Sequence, residues 1–257
     1  MRQYIVDAVT EQIFGGNPAA VCVLEKFPSE ELMLNIAQEN NLSETAFAVR
    51  EENFYRLRWF TPAVEINFCG HATLAAAFVI LTEREKNSPR VEFETLSGRF
   101  TVERRGKFFE MDLPAYEPKK ISVTAEMSEA LGAKVLEAYL ARDLLMILES
   151  AAAVEKLSPD FDRLKNLDGL IQAVTAADEN FDCVSRVFAP KIKIAEDPVT
   201  GSTHCLIAPY WSRRLGKNKI VARQASARGG ILHCEVSGAR VKISGSAALF
   251  AISDLKI

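Results

Sequence analysis

The spacing of apolar and polar residues along the chain predicts a protein built mainly from short β-strands. Alternation with a period of two is typical of half-buried strands. In the first half of the chain, strands are predicted at residues 3–8, 19–24, 44–50, 55–60, 91–95, 99–104 and 108–113. In the second half, they are predicted at residues 135–141, 144–148, 170–175, 183–188, 220–224, 231–236, 240–244 and 247–252. No low-complexity tract interrupts this pattern.

Helices are fewer and fall between the predicted strands. One is expected to open at Ser29, where a capping hydroxyl precedes two glutamates. Residues 72–81 are apolar on all sides, and a helix of this kind is normally enclosed by other elements. Short helices are predicted at residues 151–157 and 161–166, and an apolar helix is predicted after Gly201. The order of elements in the second half therefore loosely repeats that in the first.

Two similar glycine turns stand about half a chain apart, and each runs directly into one of the apolar helices. They are Cys69-Gly70-His71-Ala72-Thr73 and Thr200-Gly201-Ser202-Thr203-His204. A helix that begins on glycine exposes unpaired backbone N–H groups, and its dipole favours an anion at that end. Two such ends predict a clamp for a small carboxylate.

The composition excludes several classes of partner. The chain of 257 residues is 48% hydrophobic and carries 31 basic and 34 acidic residues without long charge runs, so neither nucleic acid nor a membrane surface is an expected partner. The longest apolar run spans about ten residues, whereas a membrane-spanning helix needs about 20. No signal-peptide pattern is visible, and the five cysteines form no Cys-x-x-Cys pair. A cytoplasmic location with reduced thiols is therefore expected.

No motif points to a metal or a cofactor. The three histidines show no ligand spacing, and two of them are followed directly by cysteine. The glycine-rich turns lack the spacing of dinucleotide and phosphate-binding loops, and no nucleophile elbow is present. We therefore expect a protein that works without a metal or a cofactor.

A few polar residues stand in small or apolar surroundings where they could carry proton chemistry. Glu44 is either a general base held among apolar neighbours or an ordinary surface carboxylate. His71, one residue into a predicted helix, could donate to a substrate anion or be satisfied by nearby backbone. Asp197 and Ser202 could orient a proton-transfer group and hold a carboxylate, or they could be a turn aspartate and a helix-capping serine.

The short segments around these residues also carry a family resemblance. Through them the chain resembles the PhzF-like proteins of phenazine biosynthesis, which belong to the diaminopimelate-epimerase fold group. The segments are Tyr4-x-Val6-Asp7-Ala8, Phe14-x-Gly16-Asn17-Pro18-Ala19-Ala20-Val21, Leu42-Ser43-Glu44-Thr45-Ala46-Phe47, Arg58-Trp59-Phe60-Thr61-Pro62, Cys69-Gly70-His71-Ala72-Thr73, Glu196-Asp197-Pro198-Val199-Thr200-Gly201-Ser202 and Arg228-Gly229-Gly230. They occur in the expected order over nearly the whole chain.

The resemblance implies an α+β fold of two similar halves, each an antiparallel barrel-like sheet around a central helix. The halves are expected at residues 1–115 and 116–257, with residues 114–118 as the linker. The last strand could return to the first half. The active site is expected in the cleft between the halves, and family members are often dimers, so a homodimer is expected here.

The resemblance also implies roles for individual residues. Glu44 would be the acid/base, supported by three polar residues, His71, Asp197 and Ser202. The substrate-binding residues would be Gly70, Gly201, Asn17, Ala72 and Thr203. The family's defined reaction is the isomerisation of a dihydro-hydroxyanthranilate.

The sequence departs from the family pattern in ways that affect the substrate. Val9 replaces a usual aromatic residue, Thr203 replaces a usual alanine, and residues 116–180 match no motif. The substrate therefore stays open beyond a small carboxylate.

These observations leave three alternative functions to be tested. The first is a cofactor-independent isomerase in which Glu44 moves a proton within a small cyclic or unsaturated carboxylate. The second is an epimerase or racemase that uses Cys69, although Thr200 stands where such an enzyme would need its second thiol. The third is a carboxylate-binding or interaction module whose catalysis has lapsed.

Overall fold

The computed structural model describes residues 1–257 as two compact units. The first unit contains Met1–Asp112 and Ser244–Ile257, and the second contains Leu113–Ile243. The end of the chain thus belongs to the first unit. Both units combine sheets with few helices, which confirms the α+β class.

The first unit consists of short strands and two helices. Its elements are β1 (Arg2–Ala8), β2 (Asn17–Leu24), α1 (Glu30–Asn40), β3 (Glu44–Arg50), β4 (Tyr55–Phe60), β5 (Glu65–Ile66), α2 (Gly70–Val79), β6 (Arg90–Thr95), β7 (Gly98–Arg105), β8 (Phe108–Pro114) and the final strand, β18 (Ala247–Asp254). A π-helical turn, Ile80–Arg84, extends α2.

Two parallel pairs interrupt an otherwise antiparallel arrangement in this unit. Antiparallel pairs join β1 to β18 and to β2, β3 to β4, β4 to β5, and β6 to β7 and on to β8. The parallel pairs are β2–β3 and β4–β6. A parallel pair needs a long crossover connection. Helix α1 supplies it for the first pair and α2 for the second.

The helices of this unit cover different faces of the β3–β4 ladder. Helix α1 begins after Ser29, whose hydroxyl accepts a hydrogen bond from the Leu32 N–H at 3.2 Å, as predicted. Its Met33 packs with Phe47 and Phe60 in one apolar cluster. Nearly every residue of α2 is buried, which confirms that this apolar helix is enclosed. Strand β3 is therefore buried on both faces up to Arg50.

The second unit repeats this plan with different helices. Its elements are β9 (Lys119–Ile121), α3 (Ala125–Leu131), β10 (Glu137–Leu140), β11 (Leu144–Ile147), α4 (Ala151–Glu155), α5 (Phe161–Leu164), β12 (Gln172–Ala176), β13 (Cys183–Ala189), β14 (Ile194–Asp197), α6 (Gly201–Leu215), β15 (Lys219–Gln224), β16 (Gly230–Ser237) and β17 (Arg240–Gly245). A single 3-10 turn, Pro190–Ile192, precedes β14.

The strand pairing of the second unit follows the same order as that of the first. An antiparallel pair, β10–β11, is followed by a parallel pair, β11–β12, whose crossover contains α4 and α5. An antiparallel pair, β12–β13, is then followed by a parallel pair, β13–β15, whose crossover contains α6. Helices α2 and α6 thus occupy equivalent places in their units, which confirms the prediction of two similar halves.

The predicted elements are found, and a few short ones were missed. The bounds of β3 and β4 match the prediction at both ends. Unpredicted elements are β5, β9, α3 and β14. All five cysteines are buried and unbridged, in agreement with reduced thiols. None of the helices has the length and apolar character required to cross a membrane.

Candidate functional site

Helix α2 opens without a cap in its first turn. Cys69 is the N-cap residue, with an extended backbone, and its side chain makes no capping hydrogen bond. Gly70, His71 and Ala72 are all buried in this turn. The positive end of the helix dipole is therefore available to an anion, as the glycine turn predicted.

Glu44 lies next to this helix end and is not a surface residue. It is the first residue of β3, and only 6% of it is exposed, so the interpretation as a surface carboxylate is wrong. Its Oε2 atom lies 2.9 Å from His71 Nε2. The two groups are not aligned as a hydrogen bond, and neither atom has another hydrogen-bond partner. The buried carboxylate of Glu44 and the buried imidazole of His71 can therefore each form a hydrogen bond with a further polar group.

The other side of the His71 ring contacts Asn17 and Cys69. Asn17 Nδ2 lies 3.2 Å from His71 Nδ1, and Cys69 Sγ lies 3.5 Å from the same nitrogen. Asn17 is fully buried at the start of β2. The preceding Gly16 has a φ of +60°, and a Cβ there would come within 2.1 Å of the Ala8 carbonyl oxygen. Glycine is thus required for the turn that brings Asn17 to the imidazole.

The charges of this cluster favour a protonated imidazole. Burial lowers the pKa of His71, but the interactions of its ring with Cys69 and Glu44 outweigh burial, so this pKa lies well above its usual range. Burial also raises the pKa of the Cys69 thiol to about 11. Cys69 is therefore a neutral thiol near neutral pH.

The same three side chains form a possible metal-ligand set. A carboxylate oxygen of Glu44, the Cys69 sulfur and a ring nitrogen of His71 all lie within 4.8 Å of one another. Zn²⁺ accepts these ligand types in proteins. The expectation that the protein works without a metal stays a prediction.

In the second unit, Asp197 belongs to a hydrogen-bonded loop in front of α6. Its Oδ2 accepts a hydrogen bond from Thr200 Oγ1 at 2.5 Å. Gln224 on β15 accepts from the Thr200 N–H at 2.9 Å and donates to the Asp197 carbonyl oxygen at 2.7 Å. Helix α6 then begins at Gly201 without a side-chain cap. The loop is thus held in place from β15.

Ser202 does not cap this helix, because Thr200 is the N-cap residue. Instead, Ser202 Oγ accepts a hydrogen bond from Arg142 Nη2 at 3.0 Å. The same guanidinium donates two hydrogen bonds to Asp143, whose other partner is the Thr203 hydroxyl at 3.0 Å. The interpretation of Ser202 as a capping serine is therefore wrong.

Arg142 and Asp143 were missed by the sequence analysis because they lie in the stretch that matched no motif. They form the turn between β10 and β11. Gly169 makes room for this turn: its φ is +77°, and a Cβ there would lie 2.5 Å from the Leu144 nitrogen. An adjacent Arg-Asp pair on a predicted hairpin is the only local signal, and such pairs are common on surfaces.

The structure therefore gathers the predicted residues into two groups, each within one unit. The first unit brings Glu44, His71, Asn17, Gly70 and Ala72 together around the start of α2. The second unit brings Asp197, Gly201, Ser202 and Thr203 together around the start of α6.

His204, in the first turn of α6, is fully buried and makes the folding free energy depend on pH. Burial lowers its pKa to about 4, although its Nδ1 contacts the Thr200 carbonyl oxygen at 2.8 Å. An unfolded histidine has a pKa near 6.5. The neutral ring thus contributes stability above about pH 6.5 that is lost as the pH falls toward 4.

We expect about 2 kcal/mol of stability to be lost through His204 between about pH 7.5 and pH 5. Urea unfolding of the wild type and of His204→Asn at both pH values measures it, and Trp211 fluorescence in a Trp59→Phe background reports on the second unit. The wild type should lose more stability than the variant. Equal losses would show that His204 is not the source.

Solved structures with low sequence identity share the fold. A predicted epimerase from Pseudomonas aeruginosa is 20% identical with a TM-score of 0.76, and covers 100% of this chain and 99% of its own. A probable proline racemase from Agrobacterium radiobacter is 11% identical with a TM-score of 0.65, and covers 100% of this chain and 93% of its own. These two proteins therefore share the fold of this chain.

More similar proteins define the family. The sequence model of the phenazine biosynthesis-like proteins, PhzC-PhzF, matches residues 6–252. A crystal structure of a PhzF-family protein from Enterococcus faecalis is 48% identical with a TM-score of 0.98, and covers 100% of this chain and 99% of its own. The chain belongs to the PhzC-PhzF family of phenazine biosynthesis-like proteins, which confirms the resemblance of its motifs.

Curated relatives match over almost their full lengths. An uncharacterized isomerase from Pseudomonas aeruginosa is 47% identical over 98% of this chain and 97% of its own. An uncharacterized isomerase from Halalkalibacterium halodurans is 41% identical over the same shares. A human phenazine biosynthesis-like domain-containing protein is 36% identical over 96% of each chain.

Proposed function

We propose that this protein is a cofactor-independent isomerase that moves a proton within a small cyclic or unsaturated carboxylate. The observation that carries the proposal is the buried contact of 2.9 Å between Glu44 and His71 beside the uncapped start of α2. The names of the bacterial relatives support the assignment as an isomerase. The substrate's carboxylate is the group that the helix end would attract.

In the proposed reaction, the Glu44 carboxylate removes a proton from a saturated carbon that lies next to the conjugated system of the substrate carboxylate. The electron pair left on that carbon spreads into the conjugated system, and negative charge builds up on oxygen. The N–H groups of α2 and the His71 imidazole stabilise this charge. Glu44, now protonated, returns the proton to a different carbon. The double bond moves, and no oxidant or reductant is needed.

Burial makes Glu44 a suitable base for such a step. A carboxylate removed from bulk water loses competing solvent hydrogen bonds, so its interaction with a nearby proton donor strengthens. His71 offers the matching positive charge, and Asn17 fixes the orientation of its ring. We infer that Asp197, Gly201, Ser202 and Thr203 form the second carboxylate-binding element, at the start of α6.

The experiment that tests the proposal follows carbon-bound deuterium. The protein is incubated in deuterated water with a panel of small unsaturated and amino-substituted carboxylates, and proton NMR records loss of signal or migration of a double bond. Exchange or isomerisation supports the proposal. Binding of these carboxylates without any exchange would favour a binding module whose catalysis has lapsed.

Cys69 is not expected to act as the base. Burial holds its thiol neutral, and Thr200 occupies the place of a second thiol. We therefore expect Cys69→Ala to keep the exchange rate within about tenfold of the wild type, a loss of at most about 1.4 kcal/mol. The rate is measured by the same NMR assay, with Cys22→Ala as the control for loss of a buried thiol. Abolished exchange in Cys69→Ala alone would favour the epimerase alternative.

A further inference from the structure

Trp59 has a polar group that nothing in the folded protein satisfies. It lies on β4, is 1% exposed, and its indole Nε1–H finds no acceptor among the surrounding protein atoms. A buried N–H without a partner carries a desolvation cost that a bound acceptor would remove. The other tryptophan, Trp211, is equally buried, but its Nε1–H donates to Thr175 Oγ1 at 2.9 Å. The lack of a partner is thus particular to Trp59.

The register of the sheet places Trp59 on the same face as Glu44. Trp59 pairs with Ala46, and Glu44 stands two residues before Ala46 on β3. Side chains two residues apart along a strand point to the same face. A diagonal cross-strand neighbour lies about 7–8 Å away, within reach of an aromatic ring. Ala46, which stands directly opposite Trp59, has only a small side chain.

The segment that leads into α2 also contacts Trp59. Phe68 packs edge-on against its indole, with ring centroids 6.3 Å apart and an interplanar angle of 74°. Cys69, the N-cap residue of α2, follows Phe68 directly. Trp59 is therefore bracketed by the strand that carries Glu44 and the segment that carries His71.

We propose that the Trp59 indole N–H donates a hydrogen bond to a carboxylate oxygen of the bound substrate and so helps to orient it against Glu44. The indole N–H is a donor only, so its partner must be an acceptor such as an oxygen. Glu44 Oε2 and His71 Nε2 are likewise buried without a hydrogen-bond partner. A carboxylate oxygen at the start of α2 would accept a hydrogen bond from the Trp59 N–H and from a protonated His71 ring, which leaves Glu44 Oε2, itself an acceptor, to face the C–H group of the substrate. This inference rests on the proposed carboxylate site.

The two tryptophans provide the test within one protein. Uniformly ¹⁵N-labelled wild-type protein gives one indole N–H signal for each tryptophan, and Trp211→Phe assigns them. Benzoate is the probe, because it is a planar carboxylate without an acidic C–H bond to react. We expect the Trp59 indole and the Gly70 amide signals to shift in step during a benzoate titration, while the Trp211 indole signal stays in place.

The outcomes separate this inference from the proposed function. A shifting Gly70 amide with a stationary Trp59 indole would overturn the role of Trp59 and leave the carboxylate site standing. If neither signal moves, the carboxylate site fails and the role of Trp59 fails with it. In Trp59→Phe, which keeps an aromatic ring, benzoate affinity should fall about two- to tenfold, the worth of one hydrogen bond. Unchanged affinity in a folded Trp59→Phe would also overturn the inference.

Discussion

Replacing Glu44 by glutamine is expected to slow carbon–deuterium exchange by roughly 10²–10⁴-fold, the usual contribution of a general acid or base. Glutamine has nearly the same shape as glutamate and cannot accept a proton from carbon near neutral pH. The glutamine amide can occupy the place of the Glu44 carboxylate, whose Oε2 lies 2.9 Å from His71 Nε2. The loss should therefore appear in the rate of exchange rather than in the fold, and proton NMR in deuterated water measures it.

A matched control is available in the same unit. Glu65 is a half-buried carboxylate, and both of its oxygens accept hydrogen bonds from Arg58 at 2.7 Å. Glu65→Gln removes a charge of equal size away from the start of α2, so we expect exchange to continue at close to the wild-type rate. Circular dichroism checks the fold of both variants. Full exchange activity in a folded Glu44→Gln would eliminate Glu44 as the base.

The sequence predicts the parts of the site that depend on local patterns. Helices α2 and α6 begin at the two glycine turns, as the sequence indicates, although the apolar pattern predicts residues 72–81 for α2, which spans Gly70–Val79. The observed bounds of β3 and β4 match the predicted bounds because the apolar run of each strand ends at clear polar residues. The candidate residues followed from these local features and from the family motifs.

The sequence alone could not show whether Glu44 is a buried base or a surface carboxylate, because its burial depends on the elements that cover β3. A carboxylate at the start of a strand is most often exposed. Here the strand is buried on both faces, and both α1 and α2 contact it. Helix α2 begins only at Gly70, beyond β4 and β5 in the chain. Burial of Glu44 is thus a tertiary property. The same holds for Trp59, whose lack of a partner is visible only when all its neighbours are known.

The contact between Arg142 and Ser202 shows a second limit. The two residues are 60 positions apart, and no periodicity links the turn before β11 to the first turn of α6. Short elements were missed for a related reason, since β5 has two residues and β14 has four. Such segments are too short to show a period, and only their pairing partners define them.

Replacing Asp143 by alanine is expected to lower the free energy of unfolding of the second unit by about 3 kcal/mol, the low end for breaking a buried ion pair. The carboxylate side chain is completely buried and accepts hydrogen bonds from Arg142 and Thr203. Without it, the Thr203 hydroxyl loses an acceptor and the guanidinium loses its counter-charge. Because the Arg142 side chain is 29% exposed, water recovers part of that loss, which is why the low end applies.

Urea unfolding measures this loss, with Trp211 fluorescence in a Trp59→Phe background as the reporter of the second unit. Glu129→Ala is the control, because it removes a carboxylate from an exposed pair with Arg163 on the same unit, and exposed pairs contribute little. Arg142→Met combined with Asp143→Ala should recover part of the lost stability, since the unpaired charge is then gone as well. If Asp143→Ala unfolds at the same urea concentration as the control, the Arg142–Asp143 pair does not stabilise the start of α6. The second carboxylate-binding element would then have to be held by Gln224 and Thr200 alone.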